Sequence, residues 1–273
     1  MQDIIDFNSE KLKTIFTEIG LASKNAREYL ERAHKYPQVA AYITQIHSAL
    51  NKLSTKRPIV FLDCGCGRSY LSFILYQYCR EILKREIKII GVDTNAELIT
   101  KCQLSASELT FTNMEFHTAK IEDFTANTAI DVVYSLHACD KATDQTLAKA
   151  VNVGARYIFS VSCCQHTNRK NIAKHPLTSV TKHGAYKERL VDMLGDSMRA
   201  LILEHFGYGT KIFEFVAAKH TPKNIMLRAE KNNAKKIDQE VAIAKYKALV
   251  EMFNFSPVLA ELLSLERSLF ANL

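Results

Sequence analysis

Phe61-Leu-Asp-Cys-Gly-Cys-Gly-Arg-Ser-Tyr70 is the stretch of the chain that decides its fold. It begins inside a short apolar run, residues 58–62, and is followed by a helix-like stretch, residues 71–85. Glycine at positions 65 and 67 has no Cβ, so the backbone can closely approach a bound molecule there, and N–H groups of the turn can face that molecule. The stretch therefore predicts a ligand-binding turn between a buried strand and a helix.

The alternation of apolar runs and helix-like stretches continues along the chain. Further strands are predicted at residues 87–92, 130–136 and 157–161, with a weaker candidate at 114–117, and helices at 96–109 and 141–151. Runs of β-branched residues that alternate with helices are typical of βαβ units and a parallel sheet. Two late apolar runs, residues 211–216 and 224–228, predict an antiparallel hairpin at the sheet edge.

Apolar side chains at helical spacing predict further helices outside the sheet region. Ser9 and Ser23 are candidate N-caps, and Pro37 suits the first turn of a third helix. A long amphipathic helix is predicted at residues 187–206. Its predicted core side chains are Leu190, Met193, Leu194, Met198, Leu201 and Ile202.

Composition places the chain among globular proteins. Of its 273 residues, 47% are hydrophobic and 24% are charged, which excludes the disordered and fibrous classes. No apolar stretch approaches the roughly 18 residues of a membrane span, and residues 1–16 carry acids where a secretory signal would be basic. Seven cysteines, with Cys163 and Cys164 adjacent, indicate reduced thiols in a cytoplasm. The predicted domains are an N-terminal helical extension (1–55), a central α/β domain (56–232) and C-terminal helices packed on it (233–273).

Positive charge is concentrated in two segments of the chain. The net charge is +7, and residues 169–189 and 219–236 are rich in Lys and Arg, with a single acid each. The basic residues of the first segment are Arg169, Lys170, Lys174, Lys182, Lys187 and Arg189. Such clusters can steer a phosphate backbone, and the alternative is a solvated basic surface.

Two acidic residues frame the glycine turn. Asp63 precedes it, and Asp93 ends the next predicted strand, where a carboxylate accepts both ribose hydroxyls of a nucleoside cofactor. Dinucleotide enzymes share this arrangement, but Ser69 stands where their third glycine would be. The order Asp63-x-Gly-x-Gly67 resembles the first motif of class I methyltransferases, and the late hairpin is typical of that family.

This resemblance implies a Rossmann-like α/β fold with a mostly parallel sheet, a C-terminal antiparallel hairpin and helices at both ends. It also implies S-adenosylmethionine as cofactor, with Asp63 facing the methionine amino group and Asp93 holding the ribose. The segment after the weak strand would lie near adenine. The predicted cofactor-binding residues are Asp63, Gly65, Gly67, Asp93, Thr94, Glu122, Asp123 and Leu136.

Two unusual segments follow the last two predicted parallel strands. They read Ser135-Leu-His-Ala-Cys-Asp140, followed by Ala142-Thr-Asp144, and Ser162-Cys-Cys-Gln-His166. With the Gly-x-Gly-Arg-x-x-Leu-Ser turn at residues 65–72, they resemble a group that includes the eukaryotic tRNA acceptor-stem 2′-O-ribose methyltransferases. The resemblance covers roughly the central half of the chain, which lacks the zinc-binding modules of the tRNA enzymes. Because ligands sit beyond the carboxyl ends of strands in open α/β sheets, we place the methyl acceptor near these segments.

The chemistry required of these segments depends on the acceptor atom. A ribose hydroxyl needs a base that takes its proton, whereas a pyrimidine carbon needs a cysteine that first adds to the ring. Candidate bases are His137, Asp140 and His166, and candidate nucleophiles are Cys139, Cys163 and Cys164. The structural alternatives are small buried cysteines and a histidine bonded to the backbone. A zinc site is a further alternative, but no Cys-x-x-Cys spacing supports it, and no metal is predicted.

Together these features predict a cytoplasmic methyltransferase that uses S-adenosylmethionine and acts on tRNA or ribosomal RNA. The RNA would be bound through the basic loop, residues 169–189, and no obligate protein partner is predicted. Two alternatives stay open: a methyltransferase that acts on a protein or a small molecule, and a non-catalytic RNA-binding module that retains a nucleoside pocket.

Overall fold

The computed structural model describes residues 10–19, 35–138, 141–162, 165, 169, 172, 175–231 and 238–265. Its helices are α1 (Glu10–Glu18), α2 (Lys35–Leu50), α3 (Tyr70–Glu81), α4 (Ala96–Glu108), α5 (Lys141–Asn152), α6 (Thr178–Thr181), α7 (Gly184–His205), α8 (Gln239–Phe253) and α9 (Val258–Leu262). Its strands are β1 (Ile59–Cys64), β2 (Ile87–Asp93), β3 (Met114–Thr118), β4 (Val132–Ala138), β5 (Tyr157–Ser162), β6 (Tyr208–Glu214) and β7 (Ile225–Lys231).

The strands form a sheet in the order β3-β2-β1-β4-β5-β7-β6. β1 pairs in parallel with β2 and β4, β2 pairs in parallel with β3, and β5 pairs antiparallel with β7. Helices α3 and α4 are the crossovers that return the chain to the start of the next parallel strand. The predicted Rossmann-like fold, with a mostly parallel sheet and a late hairpin, is confirmed.

The chain divides into two compact units, of which the first comprises Met1–Leu136 and Glu214–Ile225. Its core contains Phe61 of β1 and Phe73 of α3, both fully buried. Helix α2 is built into this unit, because Tyr42 is fully buried and its hydroxyl donates to the carbonyl of Ser135 over 2.9 Å. The predicted domain boundaries at residues 55 and 232 stay a prediction.

The second unit comprises His137–Phe213 and Met226–Leu273. Fully buried Tyr157 and Phe159 of β5, together with Met198 of α7, belong to its core. Helix α7 packs against α8 in this unit.

Several predicted boundaries shift by a few residues for identifiable reasons. β6 begins at Tyr208 instead of residue 211, because Gly207 adopts φ +84° and turns the chain directly after α7. The long helix begins at Gly184 instead of residue 187, and α6 lies within the predicted basic loop, so much of that segment is helical. The helix predicted after Ser23 lies outside the described residues.

One predicted core position of α7 is wrong. Met193 is 61% exposed. Asp196 and Arg199, which are not among the predicted core side chains, are buried. Within the described ranges, no helix combines the length and apolarity needed to cross a membrane.

Candidate functional site

The glycine turn lies at the carboxyl ends of β1 and β2, which pair in parallel up to Cys64 and Val92. The carbonyl of Val92 accepts the N–H groups of Gly65 and Cys66 over 2.8 and 3.1 Å, so the turn is fastened to the end of β2. Gly65 and Gly67 both have positive φ, +69° and +54°. Only glycine adopts this backbone conformation without a steric penalty.

Open space adjoins both glycines of the turn. A Cβ built on Gly65 or Gly67 would meet no protein atom within 4 Å. The sequence predicts that N–H groups of the turn face a ligand, and this prediction needs correction. The N–H groups of Gly65, Cys66, Gly67 and Ser69 all donate to oxygen atoms of the protein itself. Glycine at these two positions thus leaves an open cradle beside the turn, and the side chains around it are candidates for recognition.

Asp93 is one of those side chains, at the end of β2. Its Oδ2 accepts the N–H of Gly67 over 2.8 Å, and its Oδ1 accepts the N–H of Asn95 over 2.9 Å. Asp93 is half-buried, and each carboxylate oxygen has a second lone pair. The carboxylate is therefore oriented by the backbone and retains capacity to accept two further hydroxyl donors.

Asp63 is the second acid, and it is 5% exposed. Its Oδ2 accepts the hydroxyl of Ser69 over 3.0 Å and also that of Ser72. The pKa of Asp63 is raised from 3.8 to about 6, mainly by burial and in small part by nearby Asp93, while both serine hydroxyls oppose the shift. The cradle therefore contains a buried carboxylate whose charge a cationic group would stabilise.

Tyr134 of β4 completes this hydrogen-bond chain. Its hydroxyl lies 2.6 Å from the Ser72 Oγ. Burial raises the pKa of Tyr134 well above 10, so the phenol keeps its proton. Because Ser72 has one proton and gives it to ionised Asp63, Tyr134 donates to Ser72.

Ser69 explains the departure from the three-glycine pattern. It adopts φ 53° and ψ 29°, the left-handed conformation that glycine would occupy most easily. Its hydroxyl donates to buried Asp63, a bond that glycine could not make. The sequence shows a serine where the three-glycine pattern has a glycine, but it does not show that Asp63 is the hydrogen-bond partner of this serine.

Two thiols lie against the same turn. The Cys102 Sγ donates to the carbonyl of Gly67 over 3.5 Å, and the Cys66 Sγ lies 4.0 Å from that oxygen. Burial raises the pKa of Cys102 to about 12 and that of Cys66 well above its ordinary value. Both stay protonated and support the turn as small buried groups.

The remaining predicted cofactor residues lie on three other segments of the first unit. Thr94 is exposed in the bend after β2, and Glu122 and Asp123 are exposed in the turn that follows β3. Leu136 is half-buried in β4. Their role in holding a cofactor stays a prediction.

Of the predicted catalytic residues, His137 is described. It is half-buried near the end of β4 and adopts φ +62°, a conformation that is uncommon for residues with a Cβ. Asp140, Cys163, Cys164 and His166, together with the candidate nucleophile Cys139, lie outside the described residues. Within the part of the chain that is described, no three His, Cys, Asp or Glu side chains are grouped to hold a metal.

A buried ionic cluster lies in the second unit and was missed by sequence reasoning. Arg199 is 1% exposed, and its guanidinium donates to both carboxylate oxygens of Asp144, over 2.7 and 3.1 Å. It also donates to Asp196 over 3.2 Å. Asp144, the last residue of the Ala-Thr-Asp motif, is therefore half of a buried bidentate ion pair.

Asp196 extends the cluster to the end of β5. Its carboxylate accepts the hydroxyl of Ser162 over 3.2 Å and the amide of Gln165 over 3.4 Å. Gln165 packs so closely on α7 that a Cβ at Gly195 would lie 2.0 Å from its Oε1. Helix α7 thus forms hydrogen bonds with Ser162 and Gln165, which flank positions 163 and 164 in the sequence.

Comparison with solved structures defines the class of fold. Magnesium protoporphyrin IX methyltransferase from Synechocystis PCC 6803 with bound S-adenosylhomocysteine superposes with a TM-score of 0.50 at 16% identity, over 83% of this chain and 96% of that one. The same enzyme with bound S-adenosylmethionine gives a TM-score of 0.47 at 16% identity, over 83% and 93% of the two chains. A SAM-dependent methyltransferase from Aquifex aeolicus gives a TM-score of 0.43 at 14% identity, over 67% and 86%. The fold is that of class I methyltransferases.

A family model described as "Methyltransferase domain" matches residues 34–171, half of the chain. The chain belongs to this methyltransferase family. The match begins at the start of α2 and contains the glycine turn, Asp93 and His137. No curated protein matches the chain.

Proposed function

We propose that this protein is an S-adenosylmethionine-dependent methyltransferase that methylates RNA, either tRNA or ribosomal RNA. The observation that supports this choice of cofactor is the open cradle at Gly65 and Gly67, which is bordered by the oriented carboxylate of Asp93. S-adenosylmethionine supplies, when bound, a methyl group on a sulfonium with a nucleoside and an amino acid attached. The ribose hydroxyls of the nucleoside require hydrogen-bond acceptors, and the cationic amino group requires an anionic partner. This turn brings both kinds of group together in Asp93 and Asp63.

The roles of the two acids follow from their surroundings and from the class I resemblance. Asp93 would accept the ribose hydroxyls through lone pairs that Gly67 and Asn95 leave available. Asp63 would stabilise the cationic amino group, directly or through water, and that cation would favour its ionised form. The serine hydroxyls and Tyr134 hold the Asp63 carboxylate in one orientation before the cationic amino group binds.

RNA as the acceptor is supported by the sequence motifs and by charge. The segments at residues 65–72, 137–144 and 162–166 resemble the tRNA 2′-O-ribose methyltransferase group. The described basic residues of segment 169–189 include Lys182, Lys187 and Arg189, which are exposed or half-exposed. Such cations add salt-sensitive affinity for phosphates without sequence preference.

For a ribose hydroxyl acceptor, His137 is the described residue whose imidazole can take the hydroxyl proton. A neutral imidazole accepts a proton on its unprotonated ring nitrogen, which suits that transfer as the new bond to the acceptor oxygen forms. For a pyrimidine carbon, a cysteine among Cys139, Cys163 and Cys164 would add to the ring first. We propose a cytoplasmic location, since the described cysteines Cys64, Cys66, Cys79 and Cys102 are free thiols.

The decisive experiment compares purified protein and the variant Gly67→Val, which fills the cradle. Calorimetry with S-adenosylhomocysteine measures cofactor binding, and mass spectrometry of nucleosides from RNA, incubated with protein and S-adenosylmethionine, identifies the methylated atom. We expect binding and a new methylated nucleoside with the wild type and neither with the variant.

Two outcomes would redirect the proposal. Cofactor binding without RNA methylation, but with methyl transfer to a protein or small-molecule fraction, replaces the RNA acceptor. Absence of cofactor binding by the folded wild type rejects the enzyme and supports a non-catalytic module.

A further inference from the structure

Residues 175–189, which we name the α6–α7 projection, stand out in the second unit by their exposure. From Pro176 to Arg189 every side chain is exposed, except Thr181 and Lys187, which are half-buried. The segment contains α6, a short turn and the beginning of α7, and the two helices pack against each other. It therefore presents most of its side chains to solvent from a folded backbone.

Local hydrogen bonds give the projection a defined shape. The His175 Nδ1 accepts the N–H of Leu177 over 3.1 Å, and its Nε2 lies 3.1 Å from the Thr181 hydroxyl. The carbonyl of His183 accepts the N–H groups of Tyr186 and Lys187, each over 3.0 Å. A partner would meet a preformed surface, which lowers the entropic cost of binding.

Large apolar groups are displayed among the cations. Leu177, Val180 and Tyr186 are 41%, 46% and 53% exposed. The Tyr186 ring is the broadest of these groups, and it contacts the His183 ring edge-on, at 6.0 Å between centroids and an interplanar angle of 88°. These side chains are therefore accessible to a partner, and an aromatic ring among them can stack on a base.

Basic residues lie close to Tyr186 in the sequence on both sides. Lys182 is the C-cap of α6, four positions before Tyr186, Lys187 is the neighbour of Tyr186 in α7, and Arg189 follows within the next turn of α7. Arg169 approaches the base of α7, where its guanidinium lies 3.8 Å from Glu188. An aromatic ring between cations is the arrangement that binds a strand whose bases can stack and whose phosphates are close by.

We infer that the α6–α7 projection binds an unpaired segment of the RNA substrate, with Tyr186 stacking on a base and Lys182 and Arg189 contacting the flanking phosphates. This inference rests on the proposed RNA function and adds the claim that the bound segment of the RNA is unpaired. A duplex keeps its bases stacked on each other, so it offers no free face to Tyr186. The polar residues Ser179 and His183 interrupt the apolar groups, which disfavours an anionic membrane surface as the partner, since that needs a continuous apolar helix face.

The test measures binding of a fluorescent unpaired RNA of about 12 nucleotides and of the same strand in a duplex, by anisotropy across a salt series. We expect the wild type to prefer the unpaired strand. Tyr186→Ala should weaken that complex about tenfold and Tyr186→Phe should preserve it, because stacking needs the ring and not the hydroxyl. Lys182→Gln should lower the slope of log affinity against log salt by about 0.7, the value for one phosphate contact on a single strand.

Matched variants separate this surface from general effects. Met193→Ala removes an equally exposed apolar group farther along α7, and Lys211→Gln removes an exposed cation on β6. Both should bind the unpaired strand as the wild type does. Because the substituted side chains are exposed, all variants should keep the thermal unfolding midpoint of the wild type.

Distinct results reject distinct claims. If the wild type methylates RNA and Tyr186→Ala binds the unpaired strand equally well, the inference about the projection is wrong and the proposed function stands. If the wild type binds S-adenosylhomocysteine but neither binds nor methylates RNA, both are rejected. Binding to phosphatidylserine-containing vesicles that Tyr186→Ala abolishes, with RNA unbound, assigns the projection to a membrane instead.

Discussion

The backbone N–H of Gly67 donates to the Asp93 Oδ2 over 2.8 Å and so joins the turn after β1 to the last residue of β2. The two residues are 26 positions apart in the chain, and this bond restrains both of them. The glycine adopts φ +54° as its N–H reaches the carboxylate, and the carboxylate is oriented by accepting it. Substitutions at either position should therefore affect the cofactor through the same turn.

Replacing Gly67 with valine should abolish cofactor binding while leaving the protein folded. The new side chain would enter the open cradle, and its positive φ costs about 1–2 kcal/mol of stability. Titration calorimetry with S-adenosylhomocysteine measures the loss. Gly154→Val is the matched control, because Gly154 also has positive φ, at +65°, and its Cβ would make only an ordinary contact with Lys231. Equal cofactor affinity of the two variants would contradict the assignment of the cradle.

Replacing Asp93 with alanine should weaken cofactor binding by about 1.5–3 kcal/mol, the value of hydrogen bonds to a charged group. The variant loses the acceptor for ribose hydroxyls and also frees the N–H of Gly67. Asp93→Asn should lie between alanine and the wild type, because it keeps one acceptor oxygen. Glu97→Ala, which removes an exposed acid on the neighbouring helix α4, should bind as the wild type does. Unchanged affinity of Asp93→Ala would mean that another residue holds the ribose.

Asp63 should make stability depend on pH in an unusual direction. Its folded-state pKa of about 6 exceeds the ordinary 3.8, so between these values the folded state binds the proton more tightly. Its contribution is therefore fully present below pH 3.8 and is lost as pH rises through 6, by on the order of 3 kcal/mol. Relative to the wild type, Asp63→Asn should gain stability between about pH 4 and pH 7. Urea unfolding at both pH values measures this difference, and a pH-independent difference would contradict the raised pKa.

Cofactor binding should respond to the same titration. A cationic amino group beside Asp63 favours its ionised form, so binding releases a proton near pH 6 and strengthens as pH rises. Calorimetry in buffers of different ionisation enthalpy counts that proton. Asp63→Asn should release none. Proton release that persists in this variant would assign the titration to another group.

The glycine turn could be predicted from sequence because its determinants are local. Apolar runs of strand length, glycines at positions 65 and 67, and acids at the ends of adjacent strands all occur in one continuous stretch. The meeting of the glycine turn with Asp93 follows from parallel pairing, which brings the ends of β1 and β2 together. What sequence could not supply was the use of each N–H group, because the carbonyl of Val92 and the carboxylate of Asp93 compete with any ligand for them.

Residues that depend on packing between distant elements were missed. Helical periodicity placed Met193 in the core of α7 and gave Arg199 no role, because a cation at that position resembles a solvated face. The reason for its burial is Asp144, 55 positions earlier in the chain. Similarly, the sequence shows a serine in a glycine's place at position 69 but not its partner, and Ser72 carries no signal at all, until the fold brings both hydroxyls to the buried carboxylate of Asp63.

Arg199 should contribute far more to stability than a surface arginine with the same bonding pattern. Arg199→Ala leaves Asp144 and Asp196 buried without their cation, and breaking such a buried cluster costs about 3–5 kcal/mol. Arg57 also donates to both oxygens of one aspartate, Asp131, but its side chain is 53% exposed. Arg57→Ala should therefore cost under about 1 kcal/mol.

Urea unfolding of both variants at neutral pH compares these two losses directly. The double variant Asp144→Leu/Arg199→Met should recover part of the stability lost in Arg199→Ala, because it removes a buried charge together with its partner. If Arg199→Ala and Arg57→Ala lose equal stability, the buried cluster does not hold the second unit together. If the double variant is less stable than Arg199→Ala, Asp144 stabilises the second unit through contacts other than its ion pair with Arg199.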